Sequence, residues 1–252
     1  VIDFSAIKDN EDLEVADYLP SDINDMEKIC TEDYSVNLVD MADNTEDNKT
    51  VNDNPNDAKA ISLGTQVYDT VATELEQRWY AFSVAKATKF TAAMVMDDTA
   101  DFDLYVYKLN ETDGTLELVG GSAIVGAGTQ ELSMLKLDEG IYFIGIEAAT
   151  GNGSFLMYTY AGVNDGKEIN DTTDLASSYV RNSRMTATID SPFDYDYYKV
   201  VISKNDILEY TFDQPTGCDY KVLVYDGKNY YTINNGTYRL NTGTYYFIVM
   251  AS

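Results

Sequence analysis

The second half of this chain repeats the first, and a repeat of about 100 residues is the size of a domain rather than of a solenoid unit. Trp79-Tyr80-Ala81-Phe82-Ser83-Val84 aligns with Tyr197-Tyr198-Lys199-Val200-Val201-Ile202. At the same offset, Asp101-Phe102-Asp103-Leu104-Tyr105-Val106-Tyr107 aligns with Asp219-Tyr220-Lys221-Val222-Leu223-Val224-Tyr225. Near the ends, Leu137-Asp138-Glu139-Gly140-Ile141-Tyr142-Phe143-Ile144 matches Leu240-Asn241-Thr242-Gly243-Thr244-Tyr245-Tyr246-Phe247 at a shorter offset, so the second copy has lost loop residues. The reading is two modules, 52–162 and 163–252, behind a leader of residues 1–51.

Within each copy the hydrophobic period is two. Tyr80, Phe82 and Val84 share one face, as do Phe90, Ala92, Met94 and Met96. Further alternating runs cover Phe102 to Tyr107, Glu131 to Leu137, Ile141 to Glu147 and Ser154 to Tyr160. Gly120-Gly121, Gly126 to Gly128 and Gly151 to Gly153 read as loop and hairpin signals between them. Short strands at intervals of roughly 8 to 12 residues predict an all-β chain of two tandem jelly-roll-like antiparallel β-sandwich modules. The first copy ends in a Gly-bounded strand, Ser154 to Tyr160, that has no counterpart before Ser252. An open sheet edge invites aggregation unless covered. Either a continuation past Ser252 or another segment is expected to fill the gap, and Tyr34 to Val39, where Val36 and Leu38 alternate with polar residues, is the candidate within the chain.

Composition narrows the chemistry. Residues 1–57 hold seventeen acidic side chains against three lysines and little periodicity, so the leader reads as acidic and mostly irregular. The formal charge of -26 repels phosphate backbones and anionic lipid and draws in hard cations, so nucleic-acid binding is not expected. No apolar run approaches the roughly 18 residues of a membrane span, so membrane insertion is not expected either. Val1 is not followed by a basic and then an apolar stretch, which fits removal of a signal peptide or excision from a longer chain. Histidine is absent, which removes the usual general base, zinc ligand and triad member. The two cysteines, Cys30 and Cys218, have no metal-thiolate spacing; one long-range disulfide stands against two separate thiols. If Tyr34 to Val39 docked on the second module, it would bring Cys30 toward Cys218.

The motifs resemble those of the bacterial pre-peptidase C-terminal domain, a family that includes the collagen-binding domains of clostridial collagenases. In the first copy the matching elements are Asn54-Pro55-Asn56-Asp57, Arg78-Trp79-Tyr80-Ala81-Phe82, Asp101 to Tyr107 and Gly140-Ile141-Tyr142-Phe143. In the second they are Glu168-Ile169-Asn170-Asp171-Thr172, Asp196-Tyr197-Tyr198, Asp219 to Tyr225 and Gly243-Thr244-Tyr245-Tyr246. The resemblance implies a secreted or cell-surface bacterial protein, an accessory module rather than an enzyme, and calcium held between the opening acidic segment and the acids before the Asp-Tyr-Tyr strand. In the second copy those positions are Glu168, Asn170, Asp171, Asp194 and Asp196, the carboxylate and amide oxygens a hard cation requires. The competing reading is that these Asx residues only form turns. The first copy departs from the pattern: Asn52 and Asn54 stand where acids are expected, and Arg78, which cannot ligate a cation, replaces the second aspartate. Asp97, Asp98, Asp101 and Asp103 also look metal-like but lack the glycine and terminal glutamate of an EF-hand loop, so they read as a charged turn entering a strand.

Three functions follow. The first is an adhesion or binding module for an extracellular protein, peptide or glycan, which requires several of Tyr105, Tyr107, Tyr195, Tyr197, Tyr230 and Tyr231 to form one solvent-facing patch. The second is an architectural spacer or folding aid for a neighbouring secreted enzyme. The third, a glycosidase using two carboxylates, would need a deep cleft and one acid with a raised pKa.

Overall fold

A computed structural model describes residues 2–3, 34–36, 51–162 and 166–252. Those residues fall into two compact units, residues 34–36 with 51–162 and residues 2–3 with 166–252. Among the described residues regular structure in both is strand, apart from one 3-10 turn at Pro55–Asp57, as alternation predicted. Strand β1 (Ile2–Asp3) belongs to the second unit.

The first unit contains β2 (Lys59–Ala60), β3 (Gln66–Val71), β4 (Gln77–Val84), β5 (Thr88–Met96) and β6 (Asp101–Leu109). It continues with β7 (Leu116–Ser122), β8 (Glu131–Leu137), β9 (Gly140–Thr150) and β10 (Gly153–Gly162). They form a five-stranded sheet, β2-β4-β9-β6-β7, and a four-stranded sheet, β3-β10-β5-β8. The core between them is the inward set of each alternating strand: Tyr80, Phe82 and Val84 from β4, Phe90, Ala92 and Met94 from β5, Phe102, Leu104 and Val106 from β6, and Phe155 and Met157 from β10. Phe82 stacks on Phe90 across this core with ring centroids 4.9 Å apart.

Gly120 and Gly121 are not loop residues: they lie inside β7. A Cβ on Gly120 would come within 2.4 Å of the Leu135 side chain, and one on Gly121 within 2.4 Å of the Leu104 carbonyl oxygen. The pair is there because the strand passes close to its neighbours, not because the chain turns.

The second unit contains β11 (Ser177–Ser178), β12 (Tyr195–Ile202), β13 (Asp206–Tyr210) and β14 (Tyr220–Tyr225), then β15 (Tyr230–Thr232), β16 (Gly236–Leu240) and β17 (Gly243–Ala251). Its five-stranded sheet runs β11-β12-β17-β14-β15, strand for strand the order of the first. Register agrees as well: Trp79 pairs with Gly145, and its counterpart Tyr197 pairs with Ile248. The large ring has shrunk where the glycine opposite has grown. The Trp79 indole fills the space over Gly145, where a Cβ would lie 3.2 Å from its ring.

Among the described residues the second sheet of this unit has three strands, β1-β16-β13, and no counterparts of β3 and β10. The expectation that Tyr34 to Val39 would take that place is corrected. Ser35 bridges to Thr115 of the first unit, and residues 37–39 lie outside the described residues. The strand that does join, β1, runs parallel to β16 at the edge away from the vacant position. A two-residue strand adds too few ladder bonds to replace β10, so strand periodicity alone could not have located it.

Candidate metal centres and aromatic face

In both units the third residue of the Tyr-rich strand of the five-stranded sheet is tied to an opening asparagine. Trp79 N donates to the Asn52 carbonyl at 2.7 Å, and Tyr197 N donates to the Asn170 carbonyl at 2.8 Å. The side chains then diverge. Asn52 Nδ2 donates to the Trp79 carbonyl at 2.9 Å. The Asn170 amide, 0% exposed, has neither its oxygen nor its nitrogen in a hydrogen bond. An orphaned buried amide costs on the order of 1–3 kcal/mol, so an unexplained one calls for a ligand.

The acids around it converge. Glu168, Asp194 and Asp196 are buried, and one oxygen of each lies within 4.8 Å of the others. Asp194 Oδ2 accepts from the Asp190 peptide N–H at 2.7 Å, Asp196 Oδ2 from the Tyr198 hydroxyl at 2.7 Å, and Asp171 Oδ1 from the Tyr195 N–H at 3.4 Å. All five residues implied by the resemblance therefore gather where β12 begins. Oxygens around a shared calcium lie about 2.3–2.6 Å from it, and hence up to about 5 Å apart. The all-oxygen set fits that ion, with Glu168, Asp194, Asp196 and the Asn170 oxygen to hold it.

The first unit has made the same place neutral by other means. Thr50, Glu76 and Arg78 stand at the positions of Glu168, Asp194 and Asp196. The buried Arg78 guanidinium donates to Glu76 Oε1 at 2.7 Å and lies 3.8 Å from Asp69 on β3. Burial would raise Glu76, but the Arg78 hydrogen bond holds its carboxyl below the usual range. Asn54, in place of a ligand, caps the 3-10 turn Pro55–Asp57 by accepting from Asn56 N at 3.0 Å. The chain here supplies its own cation.

A second carboxylate group went unread as a group. Of the four aspartates taken together as a charged turn, only Asp97 and Asp98 behave so; Asp97 Oδ2 accepts from Ser154 N at 2.7 Å. Asp101 and Asp103 lie on β6, each 7% exposed, with Glu131 of β8, 0% exposed, and one oxygen from each within 4.8 Å of the others. Burial first, then the charges of Asp103 and Asp101, push Glu131 up to about 7 against hydrogen bonds from Ser122 and the Ile124 N–H. Burial also pushes Asp103 up to about 6, opposed by the Tyr105 hydroxyl and reinforced by Asp101 and Glu147. Raised acids are what a glycosidase would need, but these are shut away from any sugar. The crevice bordered by Tyr34, Gln77, Trp79 and Tyr107 is too shallow to enclose a ligand, and Glu147 is its lone carboxylate.

The tyrosines divide between two outer sheet faces. In the first unit Tyr105 and Tyr107 join Trp79, Phe143 and Leu116, and Val36 seals them. Tyr34 packs edge-on against Trp79, centroids 4.8 Å apart, and its hydroxyl accepts from Gln77 Nε2 at 2.8 Å. Val36 N donates to the Gly114 carbonyl at 2.8 Å, and Leu116 N to the Tyr34 carbonyl at 2.9 Å, so the segment is a strand addition at the β7 edge. Tyr105 and Tyr107 are therefore buried rather than solvent-facing.

In the second unit the matching face carries Tyr197, Leu223 and Ile248, overlaid by half-buried Tyr195, Tyr225, Tyr230, Tyr246 and Met250. Tyr225 stacks on Tyr230 with centroids 4.5 Å apart and lies 6.1 Å from Tyr246. Among the described residues no segment crosses it as Tyr34–Val36 crosses its sister. Tyr195 and Tyr230 are on this face as expected, and Tyr197 lies beneath them. Tyr231 points to the other side, its hydroxyl donating to Asp226 Oδ2 at 3.1 Å. Tyr225 and Tyr246 were missed; alternation from Leu223 and the match of Tyr246 to Phe143 were the available signals. Cys218 is a half-buried free thiol, and Cys30 lies outside the described residues.

No protein-family model and no curated protein sequence matches the chain. Among solved structures it is similar to the pre-peptidase C-terminal domain of a collagenase from Bacillus anthracis, at 16% identity and TM-score 0.35, covering 40% of this chain and 93% of that one. It is also similar to a protein from Sulfurospirillum deleyianum, at 10% identity and TM-score 0.28, covering 39% and 98%. The CUB1-EGF-CUB2 domains of rat MASP-1 match at 9% identity and TM-score 0.28, covering 77% and 95%.

Proposed function

We propose that this chain is a non-catalytic extracellular binding protein of bacterial origin, whose second module presents an open tyrosine face to a partner and is braced by calcium at Glu168, Asn170, Asp194 and Asp196. The observation that carries this reading is the difference between sister faces. In the first module Tyr34–Val36 lies on the aromatic face and pairs with the sheet edge; in the second the equivalent rings of Tyr225, Tyr230 and Tyr246 have no such segment over them among the described residues. Aromatic rings offer large contact area at low entropic cost, which suits a partner-binding face.

The sister module also indicates the kind of partner. Tyr34–Val36 is an extended peptide that makes main-chain bonds to β7 while placing Tyr34 among aromatic rings. An extended segment of an extracellular protein or peptide along β15 would use the same two kinds of contact, and it is favoured over a glycan for that reason. No helix among the described residues is long and apolar enough to cross a membrane.

The test is binding of immobilised extracellular-matrix proteins, extended peptides and glycans to the full chain and its variants. Tyr225→Ala or Tyr230→Ala is expected to weaken capture by about thirtyfold, the effect of losing a hot-spot contact of about 2 kcal/mol. Tyr107→Phe, in the covered face, is expected to leave it unchanged. Equal binding by all three variants would remove the tyrosine face from the account and leave the spacer role.

A further inference from the structure

We propose that Asp101, Asp103 and Glu131 form a second site for a hard divalent cation such as calcium, in the first module and independent of the centre at Asp194 and Asp196. The three side chains come from the starts of β6 and β8, in different sheets, so their meeting is a product of the fold rather than of neighbouring sequence. Their contacts with the protein are few. Asp103 Oδ2 accepts from the Tyr105 hydroxyl at 2.9 Å, Asp101 Oδ2 from Gly126 N at 3.1 Å, and both Glu131 oxygens from Ile124 N at 3.1 and 3.2 Å, with the Ser122 hydroxyl also donating to Glu131.

Asp101 Oδ1 is left fully buried with no donor. Among the described residues no lysine or arginine is paired with any of the three carboxylates. Donors therefore reach part of the group and leave a buried acceptor and the accumulated charge unmet. Burying an unpaired carboxylate costs several kcal/mol, and three together demand positive charge.

An independent observation comes from the repeat. The residue matching Asp103 in the second module is Lys221, on the equivalent strand β14 and in the equivalent register, Asp103 facing Glu147 and Lys221 facing Met250. The exchange mirrors the other centre, where Asp196 of the second module is Arg78 in the first. At each of the two positions, one module carries a carboxylate in a buried acidic group and its sister carries a basic side chain. The basic side chain marks a place where positive charge belongs, and where it is absent a free cation takes its part. An all-carboxylate oxygen set suits a hard, oxygen-seeking divalent cation.

Protons are the alternative source of positive charge, and calorimetric titration of the full chain with calcium chloride at pH 7.5 separates the two. The parent is expected to bind one more ion per chain than Glu131→Gln, which keeps the size and removes the charge. Asp103→Asn is expected to lose the same ion, and serves if the glutamine variant fails to fold as judged by its circular dichroism. Asp196→Asn is expected to lose a different one, so failure here is distinguishable from failure of the second-module centre. Retention of the parent's full stoichiometry and affinity by both Glu131→Gln and Asp103→Asn, or absence of calcium binding that either variant changes, would overturn the proposal.

Discussion

Replacing Trp79 with alanine is expected to cost the first module about 3–5 kcal/mol, the range for truncating a buried tryptophan. The indole is 1% exposed and sits over Gly145, which has no side chain to move into the void. Its loss also removes the edge-on contact with Tyr34 and the tilted one with Tyr107, 5.3 Å between centroids, and the bond from Nε1 to Gln77 Oε1 at 2.9 Å. Gln77 in turn holds the Tyr34 hydroxyl, so the covering segment loses its anchor together with the floor beneath it. Urea unfolding followed by circular dichroism measures the effect. The second module's transition should stay in place, and a loss below about 1 kcal/mol in the first would mean that Trp79 is not the centre of a sealed face.

Chelation should act on the other module. A cation that binds only the folded state at a hundredfold excess over its Kd contributes about 2.7 kcal/mol, which for a domain of 60–100 residues is roughly 10–20 °C in melting temperature. Removing calcium with EGTA is therefore expected to lower the second module's melting temperature by that amount, because Glu168, Asp171, Asp194 and Asp196 would be left buried and close together around the orphaned Asn170 amide. Calorimetric melting with and without chelator reads the shift. Trp79 is the sole tryptophan, so its fluorescence separately reports the first module. Asp196→Asn should melt early and respond little to calcium at this centre. If chelator moved the second-module transition by less than about 2 °C, calcium would not be the brace.

The sequence made the strand-built fold legible because alternation and duplication reinforce each other. Each inward run of β4, β5 and β6 has a matching partner or a clear period. The second-module centre was legible for a related reason: Asp194 and Asp196 are near neighbours, and Glu168, Asn170 and Asp171 fall in one short segment, so only one long-range contact had to be supplied. Asp101, Asp103 and Glu131 were not legible together. Sequence proximity drew Asp101 and Asp103 toward Asp97 and Asp98, whereas the partner that matters stands on β8 in the other sheet.

The placement of Tyr34–Val36 was hidden by the repeat itself. The missing counterpart of β10 drew the segment toward the second module, whereas it pairs beside β7 in the first, over the aromatic face where Trp79 lies on Gly145. The glycines of β7 misled for the opposite reason. Local chemistry marked a turn, but tertiary crowding by Leu135 and Leu104 set the requirement.

Hydroxyl-radical labelling of the free protein, read out tyrosine by tyrosine by mass spectrometry, bears most directly on the difference between the two aromatic faces. Tyr225, Tyr230 and Tyr246 should be oxidised several times faster than Tyr105 and Tyr107. Equal rates, or faster labelling of Tyr105 and Tyr107, would mean that the second face is covered or the first is open, and the binding role argued from that contrast would fall.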